Sequence, residues 1–387
     1  MYKALVCKLK NVRPHPNADR INLATVYGHQ VVVGKDQKEE TLGIFFPCDG
    51  VLSHPFLMKN NLYRKHPETG QEMGGFFDSN RRVRAQAFRG EKSDGFWVPI
   101  SFVEWTKAKL KEGDQFDTLN GHLICEKYYT PETKRQMAQP KGKRQKDYPL
   151  FLKHFETKQL KYYQDQLPER AIFIITEKLH GTSGRTTRTL TDGNWFDRLL
   201  KRKKWEYVSG SRRVILQGTD KYYEGSRFRN HIHEEIKSIG LRKGETLYYE
   251  IVGFTDTGKA IMPPHGNLSW KYECSCDNEK PYAIYIYRIT LTNEDGDVVE
   301  LSWEQIKNRC KELGLKYVPE IDVTLNKDTL PDVENCKSSF INQPLEGIVI
   351  RVEGEMFDLF KDKTHEFKVA EGIIKNDDKY VDLEEIS

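Results

Sequence analysis

The amino-acid sequence predicts an α+β protein, with a small β-barrel at the amino terminus followed by a larger domain built on antiparallel sheet. Three observations carry that expectation. At 387 residues the chain is long enough for two or three domains. Its first 125 residues hold short β-branched and aromatic runs punctuated by Gly, Pro and Asp, the texture of a small closed barrel. Farther on, strand-like runs are interposed with helical ones but lack the even βαβ spacing of a parallel sheet.

Within residues 1–125, Tyr2–Leu9, Leu23–Tyr27, Gln30–Val33 and Leu42–Pro47 read as strands. Phe96–Pro99 reads as another, and Lys111–Phe116 as a turn entering one more. Residues 126–152 change texture. They contain Pro131, Pro140 and the basic cluster Lys141-Gly142-Lys143-Arg144-Gln145-Lys146, and are expected to be an exposed linker. Its charge is either a solvated run or a direct phosphate contact. In residues 153–387 the best strands are Ala171–Thr176, Thr246–Ile251, Tyr282–Leu291 and Gly347–Val352. Ile232, Ile236 and Ile239 fall at helical spacing in His231–Ile239, and Trp303–Leu313 has a similar pattern.

Composition removes several classes of protein. Apolar residues at 37%, with 19 Tyr and 19 Phe, argue against a largely disordered chain. A net charge of +4 leans toward a polyanionic partner without requiring one. The seven cysteines are scattered and odd in number, so a reducing cytoplasmic or nuclear setting is expected. Cys274 and Cys276 have no second ligand pair at zinc spacing. Neither a signal-peptide pattern nor an apolar run of the ~20 residues a membrane span needs is present, and the expectation is a soluble monomer.

The chemistry is concentrated after residue 173. In Ile174-Ile175-Thr176-Glu177-Lys178-Leu179-His180-Gly181-Thr182-Ser183-Gly184-Arg185 a strand ends in a charged pair and enters a Gly-rich turn. That would present Lys178 at a sheet edge facing a cleft. A lysine attacks only as the neutral amine, which calls for partial burial or neighbouring cations. Taken alone, Lys-x-x-Gly is common and far more often marks a surface lysine before a turn. Its companions change the balance: Ser209-Gly210-Ser211-Arg212, Tyr249-Glu250-Ile251-Val252-Gly253, Tyr285-Ile286-Tyr287-Arg288, Glu346-Gly347-Ile348-Val349-Ile350-Arg351 and Phe360-Lys361-Asp362-Lys363.

In this order the set resembles motifs I, Ia, III, IIIa, IV and V of the covalent nucleotidyltransferases, the superfamily of ligases and mRNA capping enzymes. The resemblance implies an ATP-grasp-like, antiparallel-sheet ligase domain and a reaction through a lysyl-AMP phosphoramidate. Positioning and charge neutralisation then do most of the catalysis. It further implies Lys178 as nucleophile and Arg212 as orienting the ribose end or a 5′-phosphate. Glu250 would accept from ribose hydroxyls, and Tyr287 would stack on adenine. Glu346, with Glu250, would hold Mg2+ or Mn2+, and Lys361 and Lys363 would bind the α-phosphate and acidify Lys178. The resemblance also places Glu177, His180 and Gly181 in the same nucleotide-binding stretch.

Within the superfamily, Glu-Lys-x-His-Gly-Thr resembles the nick-sealing phage RNA ligases and kinetoplastid editing ligases. His180 stands where DNA ligases have Asp, or else is a structural turn histidine; Ser183 departs from the Asn of the phage motif. Too few residues follow Lys363 for the trailing barrel of DNA ligases and capping enzymes, so the barrel in front resembles an amino-terminal OB module. His15-Pro16-Asn17-Ala18-Asp19-Arg20 and Arg89-Gly90-Glu91-Lys92-Ser93-Asp94-Gly95 also resemble the OB-type tRNA-binding module of some synthetases.

Arg84, Arg89 and Lys92, leading to Phe96 and Trp97, interleave base-stacking rings with phosphate-binding charge, unless those rings are barrel core. The expected activity is ATP-dependent joining of 3′-OH and 5′-phosphate RNA ends, at nicks in RNA or RNA/DNA duplexes, for RNA repair. A non-catalytic RNA-binding chain, a DNA ligase and a capping guanylyltransferase are the alternatives.

Overall fold

A computed structural model describes residues 2–129, 134, 148–155, 157–193, 199–200, 202–212, 214–216, 226–264, 268–354 and 358–370. The chain divides into two compact units, Met1–Pro140 with Lys368–Ser387, and Lys141–Phe367.

In the first unit, short antiparallel strands follow the punctuation of the sequence. One sheet runs in the order Gly95–Pro99, Leu42–Pro47, Ala4–Lys8, Gln115–Phe116. A second joins Lys10–Pro14, Ile21–Val26 and His29–Gly34 in a meander. Cys125–Lys127 pairs with Gly50–Leu52, so the folded unit continues past the expected boundary at residue 125. The core is apolar and aromatic, including Val6, Ile44, Phe46, Phe56 and Val98.

One expectation is corrected here. Trp97 is only 4% exposed, and its strand lies beside Gly43, where an added Cβ would come within 2.1 Å of the indole. The ring fills space that the glycine leaves open, so it cannot stack on a base from this position. Phe96, on the opposite pleat, packs on Phe46, Phe76 and Phe77.

The second unit is built on two sheets. Five strands run in the order Lys158–Gln159, Asp358–Lys363, Gly347–Glu353, Arg170–Glu177, Glu320–Asn326, and only the first pairing is parallel. The other sheet runs Lys204–Gly210, Thr182–Thr191, Glu245–Gly253, Tyr282–Thr292, Val298–Glu300, with Lys316–Tyr317 also paired to Tyr282–Thr292. Along Arg170–Glu177 the two-residue alternation is visible in the packing. Phe173 and Ile175 enter one core cluster with Ile348, Ile350 and Phe360, while Ile174 enters the other.

Two helices supply much of that other core. Phe228–Ile239 contributes Phe228, Ile232 and Ile236, and Trp303–Leu313 contributes Trp303, Ile306, Cys310 and Leu313. The second helix is fixed at both ends, by a capping box between Ser302 and Gln305 and by Gly314 in a left-handed cap. A buried ion-pair chain links the sheets: Arg288 pairs with Glu300, whose other oxygen lies 2.9 Å from Arg351 Nη1. Among the described residues, no helix is long and apolar enough to cross a membrane. The basic cluster Lys141–Lys146 lies outside the described residues.

Candidate active site

The two sheets are joined at Lys178. Arg170–Glu177 ends in the five-stranded sheet, and after four intervening residues Thr182–Thr191 begins in the six-stranded one. The Gly-rich stretch expected to be a turn is thus a turn only to Gly181; Ser183 and Gly184 are already in a strand. The Lys178 amide donates to Gly347 O at 2.9 Å, and the His180 amide donates to the hydroxyl of Tyr272. Gly181 is there because of crowding. A Cβ at this position would lie 2.4 Å from Ile251 O and 2.9 Å from Glu250 Cγ.

Glu346 precedes the strand Gly347–Glu353, and Asp358–Lys363 returns beside it, placing Lys363 opposite Gly347 and Lys361 opposite Val349. Alternation sends both lysines to one face. Lys178 Nζ is 2.6 Å and Lys363 Nζ 3.3 Å from the same Glu346 oxygen, while His180 Nδ1 is 3.3 Å from the other. Glu346 is only 3% exposed. Burial alone would lift its carboxyl, but the Lys178 charge, the His180 hydrogen bond and Lys363 together hold it well below the usual carboxylate range. Trp270 and Phe367 meet the His180 ring edge-on, at 4.6 and 4.9 Å between centroids, and set its orientation.

Glu250 stands on the neighbouring strand and accepts from Ser183 Oγ at 3.2 Å. Burial pushes its carboxyl up to about 7, against the lowering charge of Lys178 and with the raising charge of Glu346. The two carboxylates thus differ in state, one ionised and one poised to titrate near neutral pH. Arg229 holds the strand Thr182–Thr191 by donating to Ser183 O at 3.1 Å and Thr182 Oγ1 at 2.6 Å.

Tyr287 has a buried hydroxyl, and its ring lies 5.7 Å from that of His154 at 58°. Burial and the nearby Arg212 lower His154 to about 4, so it is neutral at physiological pH. Arg212 is exposed, and its carbonyl accepts from the His154 amide at 3.4 Å. Glu177 faces elsewhere: its two oxygens accept from Ser338 Oγ and the Ser339 amide, both at 2.7 Å. Sequence reasoning missed Ser338, Ser339, Arg229, Trp270 and Tyr272, which have no local motif and meet the site only through the fold.

In the first unit, Arg89 and Lys92 lie on or beside the hairpin Gln86–Phe88/Glu91–Ser93, and Arg84 just precedes it. Arg89 is tied by Nη1 to Asn17 O at 3.1 Å, and Lys92 is exposed. His15 Nε2 donates to Phe88 O at 2.9 Å while its Nδ1 accepts from the Asn17 amide. The two motif segments singled out there, His15–Arg20 and Arg89–Gly95, are therefore in direct contact.

Among the described residues, no group of three or more His, Cys, Asp or Glu could hold a metal ion, Cys274 and Cys276 included. Glu250 and Glu346 nonetheless suit a hard cation that takes most of its shell from phosphate oxygens and water, as Mg2+ does.

A family model described as RNA ligase matches residues 171–370, and one described as an OB-fold domain matches residues 3–100. No curated protein matches the sequence. Among solved structures, the fold is similar to a Naegleria gruberi RNA ligase in a lysine-to-alanine variant with ATP and Mn, at 18% identity, TM-score 0.64, and coverage of 95% of this chain and 98% of that one. A lysine-to-methionine variant with AMP and Mn gives the same values. The same ligase with PPi matches at 17% identity and TM-score 0.61, over 94% of this chain and 97% of that chain. At this identity the likeness is one of fold.

Proposed function

The chain belongs to the RNA ligase family, with an amino-terminal OB-fold domain, and from that premise we propose that it is an ATP-dependent RNA ligase charged with AMP on Lys178. The observation that carries the reading is the convergence of Lys178, Lys363 and His180 on the single buried carboxylate of Glu346, at the seam where one sheet hands the chain to the other. ATP and Mn in the similar Naegleria structures support the nucleotide and the class of metal.

The chemistry follows from what these groups can do. Paired with Glu346, the Lys178 ammonium has no free lone pair; attack on the α-phosphorus requires that pair to break and a proton to leave. A divalent ion at Glu346 and Glu250 would supply positive charge at the α-phosphate. Lys363, already beside Glu346, and Lys361 on the same face bind the phosphate oxygens. Tyr287 offers a ring face to adenine, and Glu250 accepts from the ribose. The Lys178 nitrogen–phosphorus bond forms as the bond to pyrophosphate breaks. AMP then passes to a 5′-phosphate, with Arg212, exposed at the site's edge, taking that phosphate. Attack by a 3′-OH on the activated phosphate expels AMP and seals the strand.

The chain is read as an OB-fold domain that extends through the strand Cys125–Lys127, a basic linker up to residue 152 and the ligase domain beyond. The OB-fold domain grips the 3′-OH side of a nick in duplex RNA or an RNA/DNA duplex through Arg84, Arg89 and Lys92. Glu177 acts at one remove, holding the end of the Lys178 strand against Ser338 and Ser339.

Label transfer tests this reading. The full-length protein, stripped with pyrophosphate and incubated with α-labelled ATP and magnesium, should carry label after denaturation, and Lys178→Ala should not. Lys178→Ala should still seal pre-adenylylated ends. Label taken from GTP alone, or none from either nucleotide, would overturn the proposal.

A further inference from the structure

The stretch Leu268–Cys274 touches both the Lys178 turn and the approach to Glu346 while belonging to neither. On one side the hydroxyl of Tyr272, a residue 2% exposed, accepts the backbone N–H of His180. On the other, the amides of Lys271 and Tyr272 both donate to Gln343 Oε1, at 3.0 and 2.7 Å, and Trp270 Nε1 donates to Pro344 O at 3.0 Å. Gln343 and Pro344 lead directly into Glu346. A single short strap therefore sets the separation of the lysine turn and the carboxylate it meets.

The backbone of the strap is unusual. The Cys274 amide donates to Lys271 O at 2.9 Å, closing a four-residue turn whose central residues are Tyr272 at φ 50° and Glu273 at φ 60°. Two consecutive left-handed residues make a type I′ turn, a place usually filled by Asn-Gly. A Tyr-Glu pair is held there against its own preference, and such strain persists where the surroundings over-determine it. The surroundings here are the Gln343 acceptor, the Phe340 ring edge-on at 5.1 Å, and the His180 amide. Without a glycine at either central position, the turn's geometry is enforced by the groups it positions.

We propose that Tyr272 is a positioning residue for nucleotidyl transfer, its hydroxyl fixing the turn that aims Lys178 across Glu346. This inference rests on Lys178 as the nucleophile. Because the hydroxyl acts on the turn and not on the nucleotide, its loss should slow the charging step at saturating ATP and leave nucleotide binding alone.

The test is single-turnover label transfer from α-labelled ATP to the full-length protein, over a range of ATP, for wild type, Tyr272→Phe and Gln343→Met. Sealing of a pre-adenylylated RNA end and the thermal midpoint are measured on the same preparations. Tyr272→Phe should lower the saturating rate about tenfold, as expected for one lost positioning hydrogen bond. Half-saturating ATP and pre-adenylylated sealing should stay close to wild type, while the thermal midpoint falls by the few degrees that one unpaired buried N–H costs. Gln343→Met, loosening the strap from its other side, should show the same selective loss. An unchanged charging rate in Tyr272→Phe overturns the inference, and so does a loss shared equally by both reactions. If wild type itself takes no label, the Lys178 reading fails and this inference with it; label on wild type with Tyr272→Phe unaffected removes only the inference.

Discussion

Glutamine at position 250 should make the protein more stable at alkaline pH while stopping the reaction. Burial lifts the Glu250 carboxyl from an ordinary 4.5 to about 7. In the fold it keeps its proton to about pH 7, whereas the unfolded chain releases it near 4.5. The folded state is therefore the more protonated of the two between those values, and stability falls as pH rises through that window. A shift of this size corresponds to roughly 3 kcal/mol lost by pH 8.

Glu250→Gln keeps the shape and an oxygen for the Ser183 hydroxyl but has nothing to titrate. Urea unfolding of both full-length proteins at pH 5 and pH 8 isolates the group, since every other titration is common to the pair. The midpoints should be close at pH 5. At pH 8 the variant should lead by about 1 M, given an m-value of ~2–3 kcal/mol/M. Added magnesium should narrow the gap by stabilising wild type alone, because cation binding favours the ionised carboxylate. Midpoint differences that are equal at the two pH values would show that burial does not govern Glu250.

Four further substitutions have expected outcomes. Glu346→Gln leaves Lys178 and Lys363 side by side without their carboxylate. Breaking such a buried pair costs about 3–5 kcal/mol, so calorimetry should show a lowered midpoint and label transfer should vanish; normal labelling would remove Glu346 from the chemistry. Gly181→Ala forces a methyl group against Ile251 O, and should cost about 1–3 kcal/mol in urea unfolding together with most of the charging rate; a silent substitution would show that the turn has slack. Lys92→Ala should weaken RNA binding alike across sequences and lower the salt slope by about 1, while Trp97→Phe, once folded, binds as wild type. Loss of binding in folded Trp97→Phe would contradict its place in the core.

The strands that could be read in advance are those with an apolar side to bury. Leu42–Pro47 and Gly347–Glu353 supply core side chains, and their β-branched and aromatic runs announce it. Trp303–Leu313 was equally legible, since an amphipathic face lies between Ser302 and Gly314. Thr182–Thr191 gave no such signal. Its Thr186, Thr187 and Thr189 are buried, Thr186 with its hydroxyl bonded to Ser209 and Thr187 accepting from Thr246 and donating to Glu245 O, so polarity along the chain does not report burial. Glu320–Asn326, an exposed edge strand, was obscure for the opposite reason.

At the site, Lys178, Glu346 and Lys363 were visible as motifs and are found in contact. The partners of Glu177 lie more than 160 residues away and carry no pattern of their own. Trp97 is ambiguous in the sequence because an aromatic residue among basic ones looks the same whichever side of the pleat it occupies.

The pairing of Lys361 and Lys363 with Val349 and Gly347 makes the cleft's charge a matter of parity. The two lysines reach the same side because an even count separates them, and Phe360, one step out of phase, enters the core. A substitution removes one charge at a time. Deleting Leu359 would exchange odd for even at Phe360, Lys361 and Lys363, withdrawing both ammonium groups from the cleft and turning Phe360 toward it.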